Sequence, residues 1–296
     1  MQNTPHTTLI TPSAPITTTT HGGRAKCLQR LVRMDLPVPR TVALSFAAVH
    51  GIASGQLPDI DAIVSQFSTD ALLCVRPSSQ DPDWGGPGAI LNIGINDKQF
   101  ARLSKTLNTV AATALYTRFV QAYAIHVARL DPDMFDDVDE NAANAHVQLL
   151  HAYQTETEET FPQDRAEQLA GVLRAMARAW EGTSARLLRQ ARGAPTDAGL
   201  GLVVQEMIPG VGRGECGSGV LQLVDSKTGT AQITGRYLSQ SQGRDALGAG
   251  AATLYLERDP RDQVLDDMVP DAFRELKAYA ALMRQQLREE MQVEFV

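Results

Sequence analysis

Short apolar runs between breaker-rich loops mark the strands of this chain, and longer stretches with apolar residues at helical spacing mark its helices. The runs at 72–75 (LLCV) and 200–208 (LGLVVQEMI) have the length and composition of buried strands. Residues 101–127 contain no helix breaker, so we expect one long helix there. The pattern predicts an α/β (α+β) protein whose strand-rich parts flank a helical middle.

The stretch from 72 to 97 (LLCVRPSSQDPDWGGPGAILNIGIND) combines a strand, a cation and a glycine-rich loop. Arg76 follows the apolar run directly, so we expect its guanidinium at the end of the strand, where α/β folds place ligands. The loop holds Gly85, Gly86 and Gly88, whose backbone N–H groups can approach an anion closely. The same composition is also typical of a loop that only connects two elements.

Composition narrows the class of protein. The chain has 296 residues, 43% hydrophobic and 21% charged, which is enough for two lobes with a sizeable core. Its net charge of −7 argues against nucleic acid or an anionic membrane as the main partner. The three cysteines have no ligand-like spacing and are expected to be inert thiols in a reducing compartment such as the cytoplasm.

Residues 1–20 form a leader with eight threonines, three prolines and no charged side chain. We expect it to be disordered, because it offers little apolar surface to offset the entropy of ordering. It lacks the basic start and apolar core of a secretory signal peptide. The leader resembles the export signals of bacterial type III secreted proteins, and the alternative to that interpretation is a flexible tail on a cytoplasmic protein.

Several motifs, in order along the chain, resemble the nucleotide-binding domain of the pyruvate phosphate dikinase and phosphoenolpyruvate synthase family. The segment VRP at 75–77 and the segment ILNIGIND at 90–97 are similar to the family's Val-Arg-Ser and Ile-Leu-Asn-Leu-Gly-Leu-Asn-Asp. The opening GGRAKCL at 22–28 resembles Gly-Gly-Lys-Gly-Ala-Asn-Leu, and VQEMIPG at 204–210 resembles Val-Gln-x-Met-Val-x-Gly. The resemblance extends over residues 22–296.

The resemblance implies an ATP-grasp fold with a helical insertion. The first lobe with the glycine-rich loop would span 21–97, the helical subdomain 98–192 and the second lobe 193–296. In the family, this domain transfers the β-phosphoryl group of ATP to a histidine on a separate domain, with Mg²⁺ as counter-ion. ATP and a partner that carries a phosphoryl-accepting histidine are therefore implied.

The resemblance also implies roles for single residues. Arg76 and Glu294 match catalytic positions, and Glu294 is in addition the implied metal contact. The implied cofactor-binding residues are Arg24, Arg76, Gly85, Gly86, Gly88, Gln205, Met207, Arg244 and Glu294.

The chain departs from the family's pattern around the implied site. Gln80 stands in place of a second arginine, Gly88-Ala89 in place of Asp-Thr, and Gln292 in place of an acid. Arg236 and Arg244 occupy glutamate positions, which argues against Mg²⁺ because a hard cation needs oxygen ligands.

Two hypotheses on function follow. The first is an ATP-binding, phosphotransferase-type domain, which the retained Arg76 and Glu294 favour. The second is a catalytically degenerate relative that acts as an interaction protein, including an exported effector, which the substituted positions favour.

Overall fold

The computed structural model describes residues 6–135, 138, 142–225, 227–242, 254–256, 264–288 and 291–296. The predicted contact Arg244 lies outside these residues. The chain divides into two compact units, Met1–Lys105 with Thr109–Met207 and Thr106–Asn108 with Ile208–Val296. Both contain helices and an antiparallel sheet, which confirms the α+β class.

The first unit is organised around a five-stranded antiparallel sheet with the strand order β1-β2-β5-β3-β4. The inner strands carry the apolar runs of the sequence, and most of their residues are buried. The strands are β1 Thr7–Leu9, β2 Thr41–Leu44, β3 Leu73–Ser79, β4 Ile90–Ile93 and β5 Leu200–Glu206.

Helices surround this sheet, and several begin at a side-chain cap. Asp164 accepts hydrogen bonds from the backbone of Ala166 (2.8 Å) and Glu167 (2.9 Å) and so starts one of them. The helices are α1 Thr18–Arg33, α2 Phe46–Ala53, α3 Ile60–Val64, α4 Asp97–Thr106, α5 Thr109–His126, α6 Ala145–Thr157, α7 Arg165–Glu181 and α8 Thr183–Ala191, with 3-10 turns at Pro82–Trp84 and Pro132–Phe135.

The single helix expected over residues 101–127 is in fact two helices, α4 and α5, so that prediction is wrong. The chain leaves the helical path at 107–108 because these residues hydrogen-bond within the second unit. The carbonyl of Leu107 accepts from Nε of Arg213 (3.0 Å), and the amide of Asn108 donates to the carbonyl of Gly212 (3.3 Å). Contacts far along the chain thus override a favourable local helical pattern.

The leader is ordered from residue 6 onward, so the prediction of disorder is wrong for residues 6–20. Strand β1 pairs with β2, from Thr7 opposite Leu44 to Leu9 opposite Val42. Beyond β1, Ile16 is only 2% exposed and belongs to a core cluster. That cluster unites the leader with α1 and the sheet through Ile10, Ala14, Ile16, Ala25, Ala43 and Val203.

Polar side chains of α1 satisfy the backbone carbonyls of the leader. Lys26 donates from Nζ to the carbonyl of Ile16 (3.0 Å), and Arg33 donates from Nε to that of Pro12 (2.7 Å). Gln29, which is fully buried, donates to the carbonyls of both Thr11 (3.2 Å) and Ala14 (2.5 Å). These bonds explain how a segment without a long apolar run is held in place.

Helix α1 is kinked at Gly22, whose φ is 85°. The Ser78 hydroxyl donates to the carbonyl of His21 (2.7 Å) and accepts from the backbone N–H of Ala25 (3.0 Å). A Cβ on Gly22 would lie 1.8 Å from the carbonyl oxygen of Ser78. Glycine is therefore required both for the backbone conformation and for the approach of α1 to β3.

The second unit contains a four-stranded antiparallel sheet with the strand order β8-β7-β6-β9. Strands β6 and β7 pair as an antiparallel hairpin, and β9 pairs with the other side of β6. The strands are β6 Gly217–Val224, β7 Ala231–Ser239, β8 Leu254–Tyr255 and β9 Gln292–Phe295, and the helices are α9 Leu265–Met268 and α10 Pro270–Leu287.

The boundary between the units lies after Met207, not at residue 193 as predicted. The reason is that β5 pairs with β2 and β3 and completes the first sheet. The helical residues 109–192 likewise belong to the first unit.

Replacing Ile16 by Ala should lower the free energy of unfolding by about 2–5 kcal/mol, because it opens a cavity in the cluster beneath the leader. Urea unfolding and the melting temperature measure the effect. Ser13→Ala is the control, since Ser13 is exposed in the same segment. Equal stability of both variants would mean that the leader does not pack on α1.

Gly22 and Gly23 are neighbours with different surroundings, and they provide a matched pair of substitutions. Gly22→Ala should destabilise the protein by about 2–6 kcal/mol, the sum of backbone strain and a forced displacement of β3. A Cβ on Gly23 would meet the carbonyl oxygens of Ser79 at 3.5 Å and Gln80 at 3.6 Å, which are ordinary contacts, so Gly23→Ala should be tolerated. Thermal unfolding of the two variants tests this, and similar melting temperatures would contradict the described kink.

Candidate functional site

Arg76 lies in the middle of β3, not at its end as predicted. The strand continues because β5 pairs with it as far as Ser79 opposite Leu200. On the other side, pairing with β4 stops at Val75 opposite Ile90. The half-buried Arg76 therefore lies just beyond the part of β3 that is covered by β4.

Arg24 is close to the same part of β3. Its guanidinium donates to the carbonyl oxygen of Pro77, the residue after Arg76. Arg76 and Ser78 lie on the same face of β3, since side chains two positions apart share a face, and Ser78 is the residue that holds the kink of α1. The structure thus brings the first turn after the kink in α1, with Arg24, to the segment that carries Arg76.

A neutral histidine lies at the kink beside these arginines. His21 is fully buried, and its Nδ1 is 2.8 Å from the hydroxyl of Thr20. Burial lowers the pKa of the His21 imidazole. The side chain therefore adds no positive charge next to Arg24 at neutral pH.

The glycine-rich loop follows β3 and packs against the helices α7 and α8. Gly85 has a φ of 80°, and a Cβ there would lie 2.6 Å from Nη1 of Arg192. A Cβ on Gly86 would lie 3.5 Å from the ring of Trp180, whereas one on Gly88 would meet nothing within 4 Å. Gly85 thus permits the close approach of a guanidinium, and Gly88 leaves its backbone open.

The side chains of Gln205 and Met207 are engaged inside the first unit. Gln205 is 6% exposed and donates from Nε2 to the hydroxyl of Thr41 (2.8 Å). The sulfur of Met207 accepts from the backbone N–H of Asn92 (3.0 Å), and the N–H of Met207 donates to Leu72 (2.8 Å). Both residues therefore tie β5 and its end to neighbouring strands.

Arg189 has a structural position that the sequence did not indicate. Arg189 is only 6% exposed. The Cζ of Arg189 lies 3.6 Å from the ring centroid of Trp180, and Nη1 donates to the carbonyl of the same residue (2.6 Å). Burial lowers the pKa of Arg189. Only the packing of α8 on α7 distinguishes it from the exposed Arg186, so no pattern in the sequence could have found it.

In the second unit, Glu294 and Arg236 lie in one row across the sheet. Both are opposite Val220, Glu294 on β9 and Arg236 on β7, so the three side chains share one face. Glu294 is half-buried and Arg236 is exposed. In the part of the chain that the structure describes, no group of three acidic, histidine or cysteine side chains could hold a metal ion.

The glycine-rich loop before β6 is held by side chains that the sequence analysis did not single out. Gln240 accepts from the N–H of Gly212 (2.8 Å) and donates to the carbonyl of Gly214 (2.9 Å). The Tyr237 hydroxyl donates to Glu215 (2.8 Å), and burial raises the pKa of Tyr237. The loop is thus fixed by contacts within its own unit.

Among the described residues, none of the helices has the length and hydropathy needed to cross a bilayer.

No protein-family model matches the chain. Curated relatives do match it. Pyruvate, phosphate dikinase of Rhizobium meliloti (strain 1021) is 25% identical over 316 residues, which cover 93% of this chain and 35% of the relative. The enzyme of that name from Clostridium symbiosum is 29% identical over 248 residues, 76% of this chain and 27% of the relative. The chloroplastic pyruvate, phosphate dikinase of Flaveria pringlei is 24% identical over 310 residues, which cover 93% of this chain and 32% of the relative.

The chain spans about a third of the length of these relatives. The matched part contains the motifs around Arg24, Arg76 and the glycine-rich loop, the residues that the first unit brings together. The resemblance seen in the sequence is confirmed, since the chain is similar to proteins named pyruvate, phosphate dikinase over 76–93% of its length.

Proposed function

We propose that this chain is an ATP-binding, phosphotransferase-type domain with an ATP-grasp fold. The observation that carries the proposal is the contact of Arg24 with Pro77, next to Arg76 and ahead of the glycine-rich loop. Two cationic side chains beside a loop of glycines are suited to a polyphosphate, because bonds between guanidinium groups and phosphate oxygens are charge-assisted. The names of the relatives and the antiparallel sheet in each unit support the same proposal.

The residues of the first unit would bind and orient the polyphosphate. Arg76 projects from a strand that is paired on one side over its whole length, so its backbone is fixed before a ligand binds. Arg24 is held through the carbonyl of Pro77, and an arginine has enough N–H donors to bind a phosphate as well. In phosphoryl transfer, such positioning and charge neutralisation are the main contributions of the protein.

The described residues do not suit a Mg²⁺ site. Glu294 is the carboxylate that the family resemblance implies as the metal contact, and it shares its row with the positively charged Arg236. A hard cation requires several oxygen ligands, and a guanidinium in the same row repels it. We therefore assign no step to Mg²⁺.

The phosphoryl acceptor in this proposal is a histidine of a partner protein or a small molecule. The relatives that match are named dikinases, which supports phosphoryl transfer from ATP as the reaction. The same relatives give no support to the second hypothesis, a degenerate interaction protein or exported effector.

Arg76→Ala should weaken ATP binding by about 1.5–3 kcal/mol, the range for a hydrogen bond to a charged group. Isothermal titration calorimetry with the full chain measures this. Arg178→Ala is the control, because Arg178 is exposed on α7 and is not part of the proposed site. An ATP affinity that is equal in the native chain and in both variants would contradict the role of Arg76, and no ATP binding by the native chain would overturn the proposed function.

The affinity for ATP should change little between chelator and excess Mg²⁺, and it should fall as salt is added, because partly exposed charge contacts are screened. Titrations of the native chain with chelator and with excess Mg²⁺ measure this. A strong Mg²⁺ requirement in the native chain would contradict binding by cationic side chains alone.

A further inference from the structure

We propose that Arg192, at the end of α8, binds the polyphosphate of the nucleotide at the glycine-rich loop. The inference rests on the proposed function and assigns a residue to its site. Arg192 is exposed, and its Nη1 lies 2.6 Å from the position that a Cβ on Gly85 would occupy. The guanidinium of Arg192 therefore lies directly against the glycine-rich loop at Gly85.

The end of α8 fixes the backbone from which Arg192 projects. The N–H of Gly193 donates to the carbonyl of Gln190 (3.0 Å), and the N–H of Ala194 donates to that of Arg189 (3.0 Å). Gly193 has a φ of 85°, so this is a Schellman motif with Arg192 as the C-cap. The position of Arg192 is thus determined by hydrogen bonds that do not involve its own side chain.

The stack of Arg189 on Trp180 ties this helix end to the glycine-rich loop. Trp180 is 1% exposed and donates from Nε1 to the carbonyl of Ala198 (3.2 Å). The ring that Arg189 covers is the same ring that approaches Gly86. The glycine-rich loop and the end of α8 therefore both pack against Trp180. This packing keeps Arg192 beside the loop when no ligand is bound.

The glycine-rich loop carries negative charge, so a polyphosphate that binds there needs a cation nearby. The loop contains Asp81 and Asp83, and Asp81 accepts from the N–H of Asp83 (2.9 Å) to cap the 3-10 turn. Two carboxylates would repel a polyphosphate that approached the open backbone at Gly88. The exposed guanidinium of Arg192 offsets this repulsion and can bind phosphate oxygens in a bidentate manner.

The two tryptophans of the chain provide the assay. Trp84 lies in the 3-10 turn of the loop, and Trp180 lies beneath Gly86. Their emission reports on this loop, so titrations of the full chain can be followed with ATP and, separately, with inorganic tripolyphosphate.

Arg192→Gln should weaken the binding of ATP and of tripolyphosphate alike, by about 10- to 100-fold, the loss expected for a hydrogen bond to a charged group. Arg186→Gln is the matched control, because it removes the same charge from an exposed position on α8. That variant should bind both ligands as the native chain does. Arg192→Lys should retain part of the affinity, since it keeps the charge and loses the planar fork.

The outcomes separate this inference from the proposed function. Native affinity in R192Q, together with loss of affinity in R76A, would overturn the role of Arg192 and leave the proposed function intact. Tripolyphosphate binding that depends on Arg192, without ATP binding, would support phosphate binding by Arg192 and overturn the nucleotide as its ligand. Absence of binding of either ligand to the native chain would overturn both. If R192Q has a lowered melting temperature, Arg192→Lys is the deciding variant. Measurable affinity of the lysine variant for tripolyphosphate supports the role of the charge, and absence of affinity overturns that role.

Discussion

The two hydrogen bonds of the Ser78 hydroxyl, to the carbonyl of His21 and from the N–H of Ala25, are the constraint on which the first unit depends. They bring the kink of α1 into contact with the backbone of β3 at Gly22. Because the kink is buried, breaking these bonds would leave two backbone groups without partners, at a cost of about 1–3 kcal/mol for each. The position of Arg24 relative to Arg76 follows from this junction, since both residues lie within two positions of the residues that form it.

The leader also fixes α1, along the part of the helix that follows the kink. Its carbonyls are satisfied by Lys26, Gln29 and Arg33, which lie on successive turns of the helix, while Ile16 is buried in the apolar cluster. A helix that is bonded at its kink by Ser78 and along its length by the leader has little freedom to move on the sheet. The leader therefore contributes to the placement of Arg24.

Sequence patterns predicted the features that depend on local composition. Strands β3 and β5 and the glycine-rich loop follow from apolar runs and breakers, and the family motifs added Arg24 and Arg76. The features that were missed depend on distant partners. Strand β3 extends past Arg76 because β5 pairs with it, the helix breaks at 107–108 because of Gly212 and Arg213, and Arg189 is buried because Trp180 lies beneath it. Periodicity within a window cannot contain such information.

Arginine side chains supply the positive charge of the candidate site. A nucleotide polyphosphate must have its charge offset, either by a metal that carboxylates hold or by cationic side chains. In the first unit, Arg24 donates to the carbonyl of Pro77, the residue after Arg76, and Arg192 lies against Gly85. Guanidinium groups keep their charge at all physiological pH values, so a site of this kind needs no ion to be recruited before the nucleotide binds.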